Sequence, residues 1–192
     1  MIETHPWPPF LPQNATILFL GSFPPPEKRW SMPFFYPNPQ NDFWRIVGFL
    51  FFHDKTWFLT PDARRFDQPK IEAFLRKEGI ALYDVGRRVE RLAGNAADHH
   101  LKIVEPVDLA ELLRQVPDCR TLVATGQKAL EEILRQADVS VPPLKIGEFV
   151  EATLARRPVR IYRMPSTSRA YPQSLKKKAA FYRTLFTNRE AP

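Results

Sequence analysis

Four short stretches hold the residues able to do chemistry: Gly21-Ser22-Phe23-Pro24, Asp84, Thr125-Gly126 and Pro165-Ser166-Thr167-Ser168. Their hydroxyls can donate to phosphate or sugar oxygens, as can the backbone N–H groups of such loops. The Asp84 carboxyl can accept a hydrogen bond from a ligand or, when protonated, donate one; its other reading is a structural acid paired with Arg87 or Arg88. None of the stretches is a Walker loop and no G-x-G-x-x-G occurs, so nucleotide hydrolysis and dinucleotide binding lose their main support. Ten Lys and Arg from Arg156 onward face one acid, Glu190, which makes that segment +9 and leaves the rest of the chain at −2. A phosphate-facing surface accounts for this asymmetry better than a merely solvated helix face.

The elements that must position these residues are legible as alternating patterns. Apolar runs rich in β-branched and aromatic residues predict strands at 16–20, 80–85, 121–125 and 159–164. Helical periodicity predicts helices at 42–52, 70–78, 109–115, 127–136 and 174–186. Strands alternating with helices imply an α/β fold with a mainly parallel four-stranded sheet covered on both faces. The chemistry-bearing stretches then fall at the carboxyl ends of the strands, where ligands bind in open parallel sheets. Twenty prolines, concentrated between Pro6 and Pro39, predict an extended or looped first part. No repeat and no linker divides the chain, so residues 1–192 are expected to form one domain.

Composition sets the remaining bounds. A chain of 192 residues with 44% hydrophobic content can bury one ordinary core, and no stretch approaches a bilayer span. The first residues lack a basic region followed by an apolar run, which points to the cytoplasm. The lone Cys119 excludes an internal disulfide and a four-thiolate iron–sulfur cluster, and is expected to be a buried structural thiol. His99-His100 has no further ligand at metal-binding spacing and reads as a surface or loop pair; His5 and His53 carry no chemical signal. Nothing demands more than a monomer.

The order of five motifs resembles the uracil-DNA glycosylase superfamily, especially its hypoxanthine-DNA glycosylase-like, mismatch-uracil-related branch. They are ILFLGSFPPP at 17–26, FFYPNPQNDFW at 34–44, ALYDVGRR at 81–88, LVATGQKAL at 122–130 and MPSTSRAY at 164–171. The resemblance runs from about residue 16 to 186. It implies a three-layer α/β/α sandwich that holds a flipped-out nucleotide, because the glycosidic bond is inaccessible within a stacked duplex. The implied function is monofunctional, cofactor-free DNA glycosylase activity in base excision repair, with water as nucleophile and DNA carrying a deaminated base as partner.

Site roles follow from the same resemblance. The loop Gly21, Ser22, Phe23 and Pro24 would lie under base and sugar and position the water, with Phe23 where other branches carry an Asp or Asn. Asn41 matches the amide that orients water in the branch lacking that carboxylate; it also reads as a helix N-cap. One of Phe35 and Tyr36 would stack on the base, Asp84 would read its edge, and Thr125 would line the same pocket. The loop Ser166, Thr167 and Ser168 would grip phosphates, Arg169 or Tyr171 would enter the duplex, and Lys176 to Lys178 would face the backbone. Met164 stands where many relatives carry a His for the departing base. Phe23 and Met164 together favour a slower enzyme on hypoxanthine or mismatched uracil. They also keep open a DNA-binding module without catalysis and, more weakly, an enzyme of free nucleosides.

Overall fold

The computed structural model describes residues 2–92 and 101–187; the pair His99-His100 lies outside them. In chain order the elements begin with β1 (Ile2–Thr4), β2 (Ile17–Gly21), α1 (Phe43–Phe52), α2 (Gln68–Glu78), β3 (Ile80–Asp84) and β4 (Gly86–Arg91). They continue with β5 (Leu101–Pro106), α3 (Leu109–Gln115), β6 (Thr121–Ala124), α4 (Gln127–Gln136), β7 (Phe149–Leu154), β8 (Arg157–Arg163) and α5 (Leu175–Thr187).

β2 and β3 are buried at every residue and β6 at all but its first. Strands covered on both faces lose the polar alternation of a half-exposed strand and read as unbroken apolar runs. These strands and β8 run parallel, and β7 joins β8 antiparallel, giving the order β3-β2-β6-β8-β7. The four strands expected from the sequence are therefore the parallel set, and the fifth is an edge strand. On one face, Phe19 of β2 packs against Phe43 of α1 at 5.4 Å and Tyr182 of α5 at 6.3 Å, and Phe51 of α1 meets Phe74 of α2 at 4.8 Å. On the other, Gln136 at the end of α4 bridges to the start of α3: its Nε2 donates to Val107 O and its Oε1 accepts from Leu109 N.

The helix termini follow capping chemistry. Asp67 accepts from Lys70 N ahead of α2, Asp108 accepts from Glu111 N ahead of α3, and Gly79 closes α2 at φ 61° with Asn14 O too near for a Cβ. A second, antiparallel sheet of order β1-β4-β5 stands beside the main one. Its charged, short strands gave no apolar run to read. No helix among the described residues is long and apolar enough to cross a membrane.

Chain direction then fixes the cleft. From β2 the chain crosses through α1 and α2 to β3 at one edge, whereas from β6 it crosses through α4 to β8 on the other side. The carboxyl ends of neighbouring β2 and β6 thus part company, and a crevice opens between their loops.

Candidate active-site cleft

A cavity of about 160 Å³ occupies that crevice, far above the roughly 10–15 Å³ that one water needs. The loop after β2 forms its floor with Gly21, Ser22, Phe23 and Pro24, while Asp84, Thr125 and Gly126 enter from the ends of β3 and β6. Gly21 is required by close approach: a Cβ there would stand 2.3 Å from Asp84 Oδ1 and 3.7 Å from the Tyr36 hydroxyl. Gly21→Ala is therefore expected to push the Asp84 carboxyl out of place. The fold should lose about 1–3 kcal/mol in urea melts, the usual cost of overpacking. The far side of the loop is held by Arg91 of β4. Its side chain is 7% exposed, pairs with Glu3 at 2.8 Å, donates to Pro24 O and lies over the Phe23 ring.

The wall opposite is built from the 34–44 motif. Tyr36 takes a left-handed backbone conformation, φ 51°, that costs a non-glycine residue about 1–3 kcal/mol. Stacking of its ring on Phe43 at 3.9 Å, and the Trp44 Nε1 bond to the neighbouring Phe35 O, hold it there. Thr125 Oγ1 donates to Leu20 O, so the Tyr36 hydroxyl donates to Thr125 across 3.0 Å.

Asn41 follows on the same wall. Its Oδ1 accepts from Phe43 N at 2.9 Å, and the Arg45 guanidinium donates to Pro39 O and Asn41 O. Burial, then Arg169, draw the Arg45 pKa below its ordinary value, against the pull of Asp42.

A buried ion pair joins this wall to the last loop. Lys178 Nζ, fully enclosed on α5, lies 2.9 Å from Asp42 Oδ2 and donates to Ser168 O at 2.7 Å, while Asp42 N donates to Thr167 O. Arg169 stands 3.5 Å from the other Asp42 oxygen. Tyr182 of α5 donates its hydroxyl to Pro165 O, and burial pushes that phenol well above its usual pKa. Ser166, Thr167 and Ser168 are thereby fixed on the rim beside Asn41.

No family model matches the chain. A solution NMR structure from Methanosarcina acetivorans, provisionally named a uracil DNA glycosylase, superposes with a TM-score of 0.64 at 26% identity, over 97% of this chain and 99% of that one. A hypoxanthine DNA glycosylase of the same organism is 30% identical over 125 residues, 65% of this chain and 72% of that one. The chain belongs to the uracil-DNA glycosylase superfamily, in its hypoxanthine DNA glycosylase-like branch. A second hypoxanthine DNA glycosylase, from Methanosarcina barkeri, is 30% identical over 132 residues, 67% of this chain and 76% of that one.

Within this superfamily member, the cleft brings together Gly21, Ser22, Phe23, Pro24, Tyr36, Asn41, Asp84, Thr125, Ser166, Thr167 and Ser168. It does not include Phe35, which is 2% exposed and packs behind the wall against Phe34, Trp7 and Tyr83; of the two aromatic candidates only Tyr36 reaches the cavity. Arg169, Tyr171, Lys176 and Lys177 lie outside the cavity lining, with Arg169 and both lysines exposed. Lys178 does not face phosphate, because it is consumed by Asp42. The C-terminal charge is partly structural in other places too. Arg157 donates to the carbonyls of Leu113, Val116 and Pro117 at the end of α3, Arg163 donates to Leu144 O, and Arg160 pairs with Glu151.

Two expectations about single residues are corrected. Arg87 and Arg88 pair with Glu105, not with Asp84. His5, which carried no signal, is buried with its Nε2 3.0 Å from Asp84 Oδ2. Sequence reasoning also passed over Trp7, Arg29 and Asn38, which line the cleft from the proline-rich first part of the chain. Arg29 and Asn38 continue into an adjoining groove with Lys28, Arg64 and Arg65. No spacing rule would have gathered these, since Trp7 and Asn38 come from irregular segments and Arg29 from a single 3-10 turn, Glu27–Arg29.

Proposed function

We propose that this protein is a monofunctional DNA glycosylase that hydrolyses the N-glycosidic bond of a flipped-out deaminated base, hypoxanthine or uracil. The observation that carries the reading is the convergence of Asn41, Asp84 and the Ser166–Ser168 loop on one cavity at the switch point of the sheet. A flipped nucleotide needs such an arrangement: a walled pocket for the base, a polar group at its edge, and a rim that holds the sugar and phosphates. The homologous enzymes are named for the same chemistry.

In the reaction, the bond from C1′ to the base nitrogen breaks ahead of attack, and the electron pair leaves with the base. Water then adds to the oxocarbenium-like C1′, loses a proton, and the products are the free protonated base and an abasic sugar. Such a transition state needs stabilisation of charge more than a strong base, so an amide suffices to orient the water. Asn41 suits that role: its Oδ1 is tied to Phe43 N, which fixes the amide plane. Gly126 opens α4 at the cavity, and the partial positive end of that helix faces the site where charge collects on the departing base. It offsets part of what Met164, 1% exposed and absent from the lining, cannot supply.

The test is an incision assay with duplex and single-stranded oligonucleotides bearing one uracil, hypoxanthine or xanthine, followed by hot alkali. Cleavage at the lesion is expected for at least one base. Salt-sensitive DNA binding with no cleavage of any substrate would leave a binding module instead.

A further inference from the structure

A pocket for deaminated bases must reject their undeaminated parents, and a contact near the N-terminus supplies a physical means. β1 pairs with β4, and the residue that follows it, His5, continues that ladder with its N–H donating to Arg87 O. Its ring is enclosed by Tyr83 at 4.7 Å and Phe23 at 5.5 Å, and its side chain is 1% exposed. Nδ1 lies 2.8 Å from Trp7 O and 3.2 Å from Trp7 N, and Nε2 lies 3.0 Å from Asp84 Oδ2. The second carboxyl oxygen, Oδ1, has no such partner among the described residues and sits directly above Gly21 in the lining of the cavity.

The proton arrangement of this pair has three forms. A neutral His5 with hydrogen on Nε2 donates to Oδ2 while Nδ1 accepts from Trp7 N. An imidazolium donates to both Oδ2 and Trp7 O. A neutral His5 with hydrogen on Nδ1 accepts at Nε2 from a protonated Oδ2. In every form the shared proton lies between Nε2 and Oδ2, so Oδ1 carries none and can only accept.

We propose that His5 is a positioning residue that holds Asp84 with an acceptor-only oxygen toward the base, and so selects bases with a ring N–H beside a carbonyl over those with a bare ring nitrogen. This rests on the pocket being the base site. Deamination converts the acceptor N1 of adenine into the N1–H donor of hypoxanthine, and the acceptor N3 of cytosine into the N3–H donor of uracil. Against Oδ1 the deaminated base makes a hydrogen bond, whereas the parent sets lone pair against lone pair. Sites built to bond a substrate N–H reject analogues lacking it far more strongly than apolar pockets reject a change of size. The same edge cannot separate xanthine from guanine, since both carry N1–H.

The test is equilibrium binding, by fluorescence anisotropy, of duplexes whose target nucleotide has a 2′-fluorinated sugar that resists cleavage. Wild type is expected to bind hypoxanthine over adenine, and uracil over cytosine, by at least tenfold. His5→Leu should reduce both ratios below threefold, and His5→Gln, whose amide can still donate to Oδ2, should retain them. Asp84→Leu, which removes the acceptor oxygen altogether, should likewise reduce both below threefold. A purely structural role for His5 would weaken all duplexes alike and leave the ratios unmoved. The proposal is overturned if wild type shows no preference, or if His5→Leu melts like wild type and keeps the full ratios. If His5→Leu does not fold, His5→Phe, which fills the same aromatic enclosure without a donor to Oδ2, decides by the same ratios. Preference without cleavage in the incision assay would defeat the glycosylase reading and spare this one; cleavage with unchanged ratios in the variants would do the reverse.

Discussion

Asn41→Ala is expected to lower single-turnover release of the base at least tenfold, and by about a hundredfold if the water loses its geometry of attack on C1′. The substitution removes two things at once. One is the bond from Phe43 N to Asn41 Oδ1 at the head of α1, a loss of about 1 kcal/mol of stability. The other is the amide facing the cavity. Asn41→Ser separates them, because a serine hydroxyl can accept from the same backbone N–H but is too short to hold water at C1′. Stability should return in the serine variant and the rate should not. Equal recovery of both would mean that Asn41 matters only as a cap, and the water would need another partner.

The second large effect concerns the ion pair behind the wall. Lys178→Met strips the closest cation from a carboxylate that is 7% exposed, leaving Asp42 only the 3.5 Å contact with exposed Arg169. Breaking one side of a buried pair costs about 3–5 kcal/mol, because the surviving charge stays out of water. For a chain of this size that corresponds to a fall in Tm of roughly 10 °C. The double variant Asp42→Leu/Lys178→Met removes both charges and is expected to regain at least half of the loss in urea melts. It should still bind DNA more weakly than wild type, since Lys178 Nζ also holds Ser168 O and with it the rim loop. A Lys178→Met protein that melts with wild type would show that water reaches the pair.

The parallel sheet was legible because it is buried on both faces: runs such as Ile17 to Gly21 and Ile80 to Asp84 need no context to be read as strands. The five helices announced themselves through their helical periodicity, while the caps Asp67 and Gly79 of α2 and Asp108 of α3 were supplied by the structure. The strands that went unread are those that bury at most an isolated side chain or two, such as Val89 of β4 and Leu154 of β7, and so show no apolar run. β4, with the sequence GRRVER, and β7, exposed on alternate residues, owe their form to neighbouring backbone and not to their own apolar content.

The candidate site divides along the same line. Position at a strand end is a local property, so Gly21, Ser22, Asp84, Thr125 and the Ser166–Ser168 loop could be singled out from their order along the chain. Partnership is not local. Whether Lys178 meets phosphate or Asp42, whether Asp84 answers to Arg87 or to His5, and whether Phe35 or Tyr36 faces the cavity depend on which distant segments the fold sets side by side. The charge of a lysine or the ring of a histidine is written in the sequence, but what each is spent on is set by the tertiary partner that removes it from water.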